Sequence, residues 1–236
     1  MLFRSHYGIT TRIDPVPSVF IGSATLSPME LISAYTAFAN MGMRSEPVAI
    51  LRVEDRAGNI VWEPESRSVA VMDPVQAWLM LDVLRDVVRR GTGYSAVTAR
   101  GFTHPAGGKT GTTNDGFDVW FVGFTPDLVT GVWMGYDLPR KIMPNAQGGR
   151  LAAPAWTAMM LEVYQKRAAP REWARPEGVS TLMIDESTGE VATPFCPRAL
   201  VRSEFFIPGT EPAIPCRRHS PFQFGTGTPD TTHGRP

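Results

Sequence analysis

The sequence predicts an α/β protein of the α+β type, with an antiparallel sheet sandwiched between helices. Two observations carry this. Helix-start signals at Ser27-Pro28 and Asp73-Pro74 each open a run of apolar residues at helical spacing. Later, two strand-like runs, Val119–Phe124 and residues 129–136, flank Thr125-Pro126-Asp127-Leu128, which places proline where a type I turn accepts it. These runs are apolar at odd and even positions alike, as in Val119-Trp120-Phe121-Val122, a pattern of strands covered on both faces.

Taken in order, Ser27-Pro28-Met29-Glu30 reads as a capping box with proline at the first helical position. That helix is expected to reach about Met41 and stop at Gly42. Residues 48–53 and 60–62 flank the turn formers Asp55-Arg56-Ala57-Gly58-Asn59 and predict a hairpin. Asp73-Pro74-Val75-Gln76 repeats the helix start, and Trp78, Leu81, Leu84 and Val88 supply an apolar face before Gly91. A third helix is expected from Pro154, with Trp156, Met159, Met160, Val163 and Tyr164 at helical spacing. Beyond residue 168 proline, glycine and arginine become frequent. The sequence therefore divides into a main domain over 1–168, an appended segment over 169–220 and a disordered tail over 221–236. Within the appendage, residues 179–184 and 190–192 are expected to form a small hairpin about Asp185-Glu186-Ser187-Thr188-Gly189.

The chain has 236 residues, with 23 basic residues against 23 acidic ones. That balance argues against nucleic acid as a partner. The first nine residues lack the apolar core of a secretory signal, and no run is long and apolar enough to span a bilayer. Cys196 and Cys216 are the only cysteines. With His219 they offer too few closely spaced ligands for a structural metal, so neither metal nor cofactor is expected. They read as two buried thiols, or as a disulfide if the protein folds outside the cytoplasm.

The strongest chemical signal is Gly107-Gly108-Lys109-Thr110-Gly111-Thr112-Thr113. Glycines let another backbone approach, and a strand edge can pair with an extended peptide. Lys109 supplies a cation, and the hydroxyls of Thr110 and Thr112 supply donors suited to a carboxylate, with Gly111 keeping the surface between them open. A backbone N–H of such a strand can also point at a developing oxyanion. Lys-Thr-Gly is the third motif of the active-site-serine, penicillin-recognising enzymes, whose other two are Ser-x-x-Lys and Ser-x-Asn. In this chain no serine has a lysine three places on, and no asparagine has a serine two places before it.

The chain resembles the C-terminal part of the transpeptidase domain of a class A penicillin-binding protein, from about Gly8 to His219. The markers are Gly22-Ser23-Ala24-Thr25-Leu26-Ser27-Pro28-Met29-Glu30, Ala34-Tyr35-Thr36-Ala37-Phe38-Ala39-Asn40-Met41-Gly42 and Gly91-Thr92-Gly93. After the lysine motif come Asp118-Val119-Trp120-Phe121-Val122-Gly123-Phe124, Gly131-Val132-Trp133-Met134-Gly135-Tyr136-Asp137 and Pro208-Gly209-Thr210-Glu211-Pro212.

The resemblance implies a D,D-transpeptidase that cross-links peptidoglycan stem peptides and binds β-lactams. In the family a serine attacks the penultimate D-alanine carbonyl and releases the terminal D-alanine, and an amine of a neighbouring peptide then resolves the acyl-enzyme. Carried over by position, Lys109, Thr110 and Thr112 hold the substrate carboxylate and the Thr112 N–H is one oxyanion donor. Asp118 and Trp120 match family positions and are read as packing. The serine, its lysine and the second-motif serine are expected in an upstream half of the domain, beyond which the family carries a glycosyltransferase domain and a membrane anchor. The chain alone is then expected to be inactive, its parent lying on the periplasmic side of the inner membrane. Two other readings remain at this point: a short non-enzymatic protein that binds stem peptide or complements a serine-bearing chain, and a β-lactamase or D,D-carboxypeptidase.

Overall fold

A computed structural model describes residues 2–65 and 67–220. The tail expected to be disordered, residues 221–236, lies outside the described residues. Two compact units divide between Pro176 and Glu177.

The first unit holds a three-stranded antiparallel sheet in the order β5-β6-β7: Gly107–Thr112, Val119–Phe124 and Val129–Met134. Helices cover both faces, as a strand apolar at odd and even positions alike requires. On one face Trp156 of α4 (Ala152–Lys166) is fully buried against Phe121 and Phe102, with ring centroids 5.4 and 5.3 Å away. On the other, α2 (Pro28–Ala39) and α3 (Pro74–Arg89) approach the sheet. Tyr35 of α2 meets the fully buried Phe124 at 6.5 Å, and Phe124 meets Trp173 edge-on at 6.0 Å. Four short strands complete the unit. Met43–Ser45 (β1) pairs with Ser68–Ala70 (β4), and Val53–Glu54 (β2) pairs with Ile60–Trp62 (β3). The opening helix α1 spans Leu2–His6.

β6 is almost entirely buried, whereas β7 is only half-buried and Trp133 is 42% exposed. The two-faced burial read from the apolar run therefore holds for β6 alone. β7 is an edge strand, and no described strand pairs with its outer side.

The helix signals succeed with three corrections. At α3 the Asp73 carboxylate accepts the Val75 N–H at 2.8 Å, a true side-chain cap. At α2 the capping box does not form, because Ser27 makes no side-chain cap and Glu30 turns to an earlier segment. Its carboxylate accepts the N–H and hydroxyl of Thr10 at 2.9 and 2.5 Å, and those of Thr11 at 3.1 and 2.6 Å. The same helix ends at Ala39, two residues short of the expected last-turn residue Met41. Met41 and Gly42 both take positive φ (52° and 101°), and the Gly42 N–H closes back on Ala37 O at 2.7 Å. α4 begins at Ala152, two residues before Pro154, because first-turn N–H groups lack intrahelical partners anyway and proline is tolerated there.

Residues 169–176 lie with the first unit. The Trp173 indole donates to Ala39 O at 2.9 Å, and Glu172 pairs with the buried Arg85 at 2.9 Å. Arg85 also lies over the Trp173 ring, 5.4 Å from its centroid.

In the second unit, β8 (Ser180–Asp185) pairs antiparallel with β9 (Val201–Phe206). The expected partner, residues 190–192, contributes only a single bridge between Ile184 and Val191. The true partner lies further along the chain, which a search for adjacent strands overlooks. No helix among the described residues is long and apolar enough to cross a membrane.

Candidate functional site: the open edge of the Lys-Thr-Gly strand

β5 is the other edge strand of the main sheet. Its first two residues, Gly107 and Gly108, are buried. A Cβ on Gly107 would lie 2.7 Å from the Phe124 ring, and one on Gly108 would lie 2.7 Å from the Phe121 ring. Both glycines are thus explained by core rings pressing on the strand, a correction to their reading as room for an incoming backbone.

The register pairs Lys109 with Val122, Thr110 with Phe121, Gly111 with Trp120 and Thr112 with Val119. Just past the strand, the Thr113 N–H donates to Asp118 O at 3.1 Å. Antiparallel ladders alternate bonded and non-bonded pairs, so Gly111 and Lys109 bond to β6, while Thr110 and Thr112 turn their N–H and C=O groups outward. The Lys109 ammonium agrees with this, donating to Thr110 O at 2.9 Å.

Side chains alternate likewise. Thr110 and Thr112 share one face, and Lys109 and Gly111 share the other. The exposed Lys109 folds back to the strand edge through its bond to Thr110 O, which brings the cation to the outward backbone of that edge. Gly111 does not leave an open surface, because a Cβ there would sit 3.2 Å from Trp120 Cβ.

Two further elements complete the face of Thr110 and Thr112. α3 ends with Gly91 N–H on Asp86 O at 2.8 Å and Gly93 N–H on Val87 O at 2.9 Å. Those bonds fix Thr92, whose hydroxyl oxygen lies 2.9 Å from that of Thr110. From the entry to α4, the Gly148 N–H donates to Thr112 Oγ1 at 3.0 Å. Gly148 runs so close to β5 that a Cβ would lie 2.6 Å from Gly111 O. Sequence reasoning did not assign either residue to the site. Thr92 stood within a quoted marker, while Gly148 had only the double glycine as a signal.

Asp118 and Trp120 lie beside this edge as packing residues. The Asp118 carboxylate accepts the Trp133 indole N–H at 2.9 Å, and Trp120 and Trp133 are cross-strand partners. Below the sheet, burial first and then a hydrogen bond to Asp127 push the Tyr164 phenol up to about 12. Cys196 and Cys216 lie in the second unit, both buried and not bonded to each other.

Residues 16–161 match the family model described as the penicillin binding protein transpeptidase domain. Residues 175–221 match the model described as penicillin-binding protein 1A, C-terminal domain. Penicillin-binding protein 2D of Bacillus subtilis is 32% identical over 89% of this chain and 30% of its own length. Penicillin-binding protein 1A of Aquifex aeolicus is 32% identical over 87% of this chain and 27% of its own. The chain thus spans less than a third of these relatives. Among solved structures, penicillin-binding protein 1A from Haemophilus influenzae superposes with a TM-score of 0.80 at 24% identity, covering 90% of this chain and 36% of that one. PonA1 from Mycobacterium tuberculosis gives 0.60 at 18% identity, covering 74% and 51%. At these identities the two structures speak for the fold.

Proposed function

Because the chain belongs to the penicillin-binding protein transpeptidase family, we propose that β5 forms the substrate-binding edge of a serine D,D-transpeptidase site. Such a site cross-links peptidoglycan stem peptides and is acylated by β-lactams. The observation behind this reading is the outer edge of β5, which no described strand pairs, with the outward backbone of Thr110 and Thr112 and the Lys109 ammonium gathered along it. An extended peptide can add there as a further strand. Lys109, Thr110 and Thr112 take the terminal carboxylate. The Thr112 N–H serves as one oxyanion donor, the interaction that usually dominates acyl transfer.

The nucleophilic serine and its lysine base come from an upstream half of the domain, and this chain alone does not acylate. In the parent protein the site faces the periplasm beside the inner membrane, with a glycosyltransferase domain as its neighbour. No cofactor takes part.

Labelling with a fluorescent penicillin on a denaturing gel tests the reading. The chain alone stays unlabelled, and adding the serine-bearing half gives a labelled band on that half. A stoichiometric band on this chain alone would overturn the assignment of the nucleophile.

A further inference from the structure

In the second unit the turn after β8 gathers four side chains that are scattered in sequence: Asp185, Cys196, Cys216 and His219. Their ligand atoms all lie within 4.8 Å of one another. We propose that they form a structural zinc site, bound through two thiolates, the Nδ1 of His219 and the Oδ2 of Asp185.

The geometry is close to what zinc needs. Tetrahedral zinc with Zn–S of about 2.3 Å and Zn–N or Zn–O of about 2.0–2.2 Å has ligand atoms about 3.3–3.8 Å apart. Cys216 Sγ lies 3.6 Å from His219 Nδ1. His219 Nδ1 lies 2.7 Å from Asp185 Oδ2, a hydrogen bond that a small outward movement converts into a shared metal contact. Two soft sulfurs with an imidazole select zinc over calcium or magnesium, which prefer oxygen ligands. Four protein ligands close the coordination sphere, so the role is structural.

The surroundings are those of a built site. Asp185 is fully buried, Cys216 and Cys196 are 2% and 7% exposed, and the His219 side chain is 21% exposed. Asp185 Oδ1 is held by the Ser187 N–H at 2.9 Å and hydroxyl at 2.6 Å, which leaves Oδ2 turned to the cluster. The Thr193 N–H reaches Cys196 Sγ at 3.3 Å, and the Thr188 hydroxyl reaches Cys216 Sγ at 3.8 Å. Such outer contacts orient metal ligands and tune their basicity. The backbone is pinned as well, by Asp185 N–H on Glu190 O at 2.9 Å and Cys216 N–H on Val191 O at 2.8 Å. Only Cys216 and His219 are close in sequence; the fold supplies the ligands that spacing lacked. The same sulfurs joined as a disulfide would leave only two ligands, so the two states exclude each other.

The test uses the full chain, purified without a polyhistidine tag, and measures its metal content. About one zinc per chain is expected, as for a closed site. Cobalt(II) replacing it should give sulfur-to-metal charge-transfer bands and the strong visible bands of a tetrahedral ion, a readout that needs no variant. Cys216→Ser should roughly halve the charge-transfer bands, and replacing both cysteines by serine should abolish them. Ser187→Ala, which keeps every ligand, should weaken zinc binding roughly 10- to 100-fold in chelator competition. A Cys196–Cys216 disulfide in protein taken directly from cells overturns the proposal. So do two free thiols with no zinc or cobalt uptake, or zinc retained equally by every variant.

Discussion

The hydroxyl oxygens of Thr92 and Thr110 lie 2.9 Å apart, joining the end of α3 to the edge strand of the main sheet. One must donate to the other, so Thr92 sets which way the Thr110 hydroxyl points. Thr92→Val should lower the acylation rate constant in the protein carrying the serine-bearing half. A hydrogen bond worth about 0.5–1.5 kcal/mol corresponds to roughly 2- to 10-fold. Thr92→Ser keeps the hydroxyl and should restore most of the rate. The check is the second-order rate of penicillin acylation beside a melting curve, and equal rates for all three proteins would remove Thr92 from the site.

Lys109 is exposed, and its ammonium donates to Thr110 O of its own strand at 2.9 Å. Lys109→Ala, in the same protein, should cost about 1.5–3 kcal/mol of carboxylate binding, or roughly 10- to 100-fold in acylation, with little change in melting. Arginine should rescue only in part, because its planar fork approaches a carboxylate differently from a compact ammonium. A parallel loss of melting temperature would reassign the lysine to folding.

Glu30 ties residues 10 and 11 to α2. The hydroxyls of Thr10 and Thr11 and their N–H groups hold its carboxyl down at about 2, against an ordinary 4.5. A depressed carboxylate stabilises the fold fully above its unfolded value and loses that contribution as pH falls through the folded one. Wild type should therefore melt above Glu30→Gln at neutral pH, and the gap should close between about pH 4.5 and 2. Melting curves across that range decide it; a gap independent of pH would mean that the amide does equal work.

Gly123 has no room for a side chain. An added Cβ would overlap the Trp156 ring and lie 2.7 Å from Phe121 Cε1. Gly123→Ala should destabilise the first unit by about 1–3 kcal/mol, the usual result of overpacking a dense core. Denaturant titration measures this, and Trp156→Phe in the same background should recover part of the loss by freeing space. An unchanged midpoint for Gly123→Ala would show that the two rings shift freely.

What the sequence determined by itself is local. The Asp73 cap, the apolar run of β6, the short link between β6 and β7 and the Lys-Thr-Gly strand each depend on residues within a few positions of one another. Spacing alone exposes them. Tertiary structure decided whatever depends on which distant group arrives. Ser27 and Glu30 spell a capping box, yet Glu30 binds Thr10 and Thr11, because four donors from a passing segment outcompete one N–H of its own helix. Gly107 and Gly108 look alike as flexibility or as close packing until Phe121 and Phe124 are placed over them. Thr92 and Gly148 join the strand edge only through the end of α3 and the entry to α4. β8 pairs with β9 across an intervening loop, and that pairing helps to carry Asp185 toward residues 196–219. Such contacts gain their free energy from groups far apart in the chain, and no periodicity in the sequence records them.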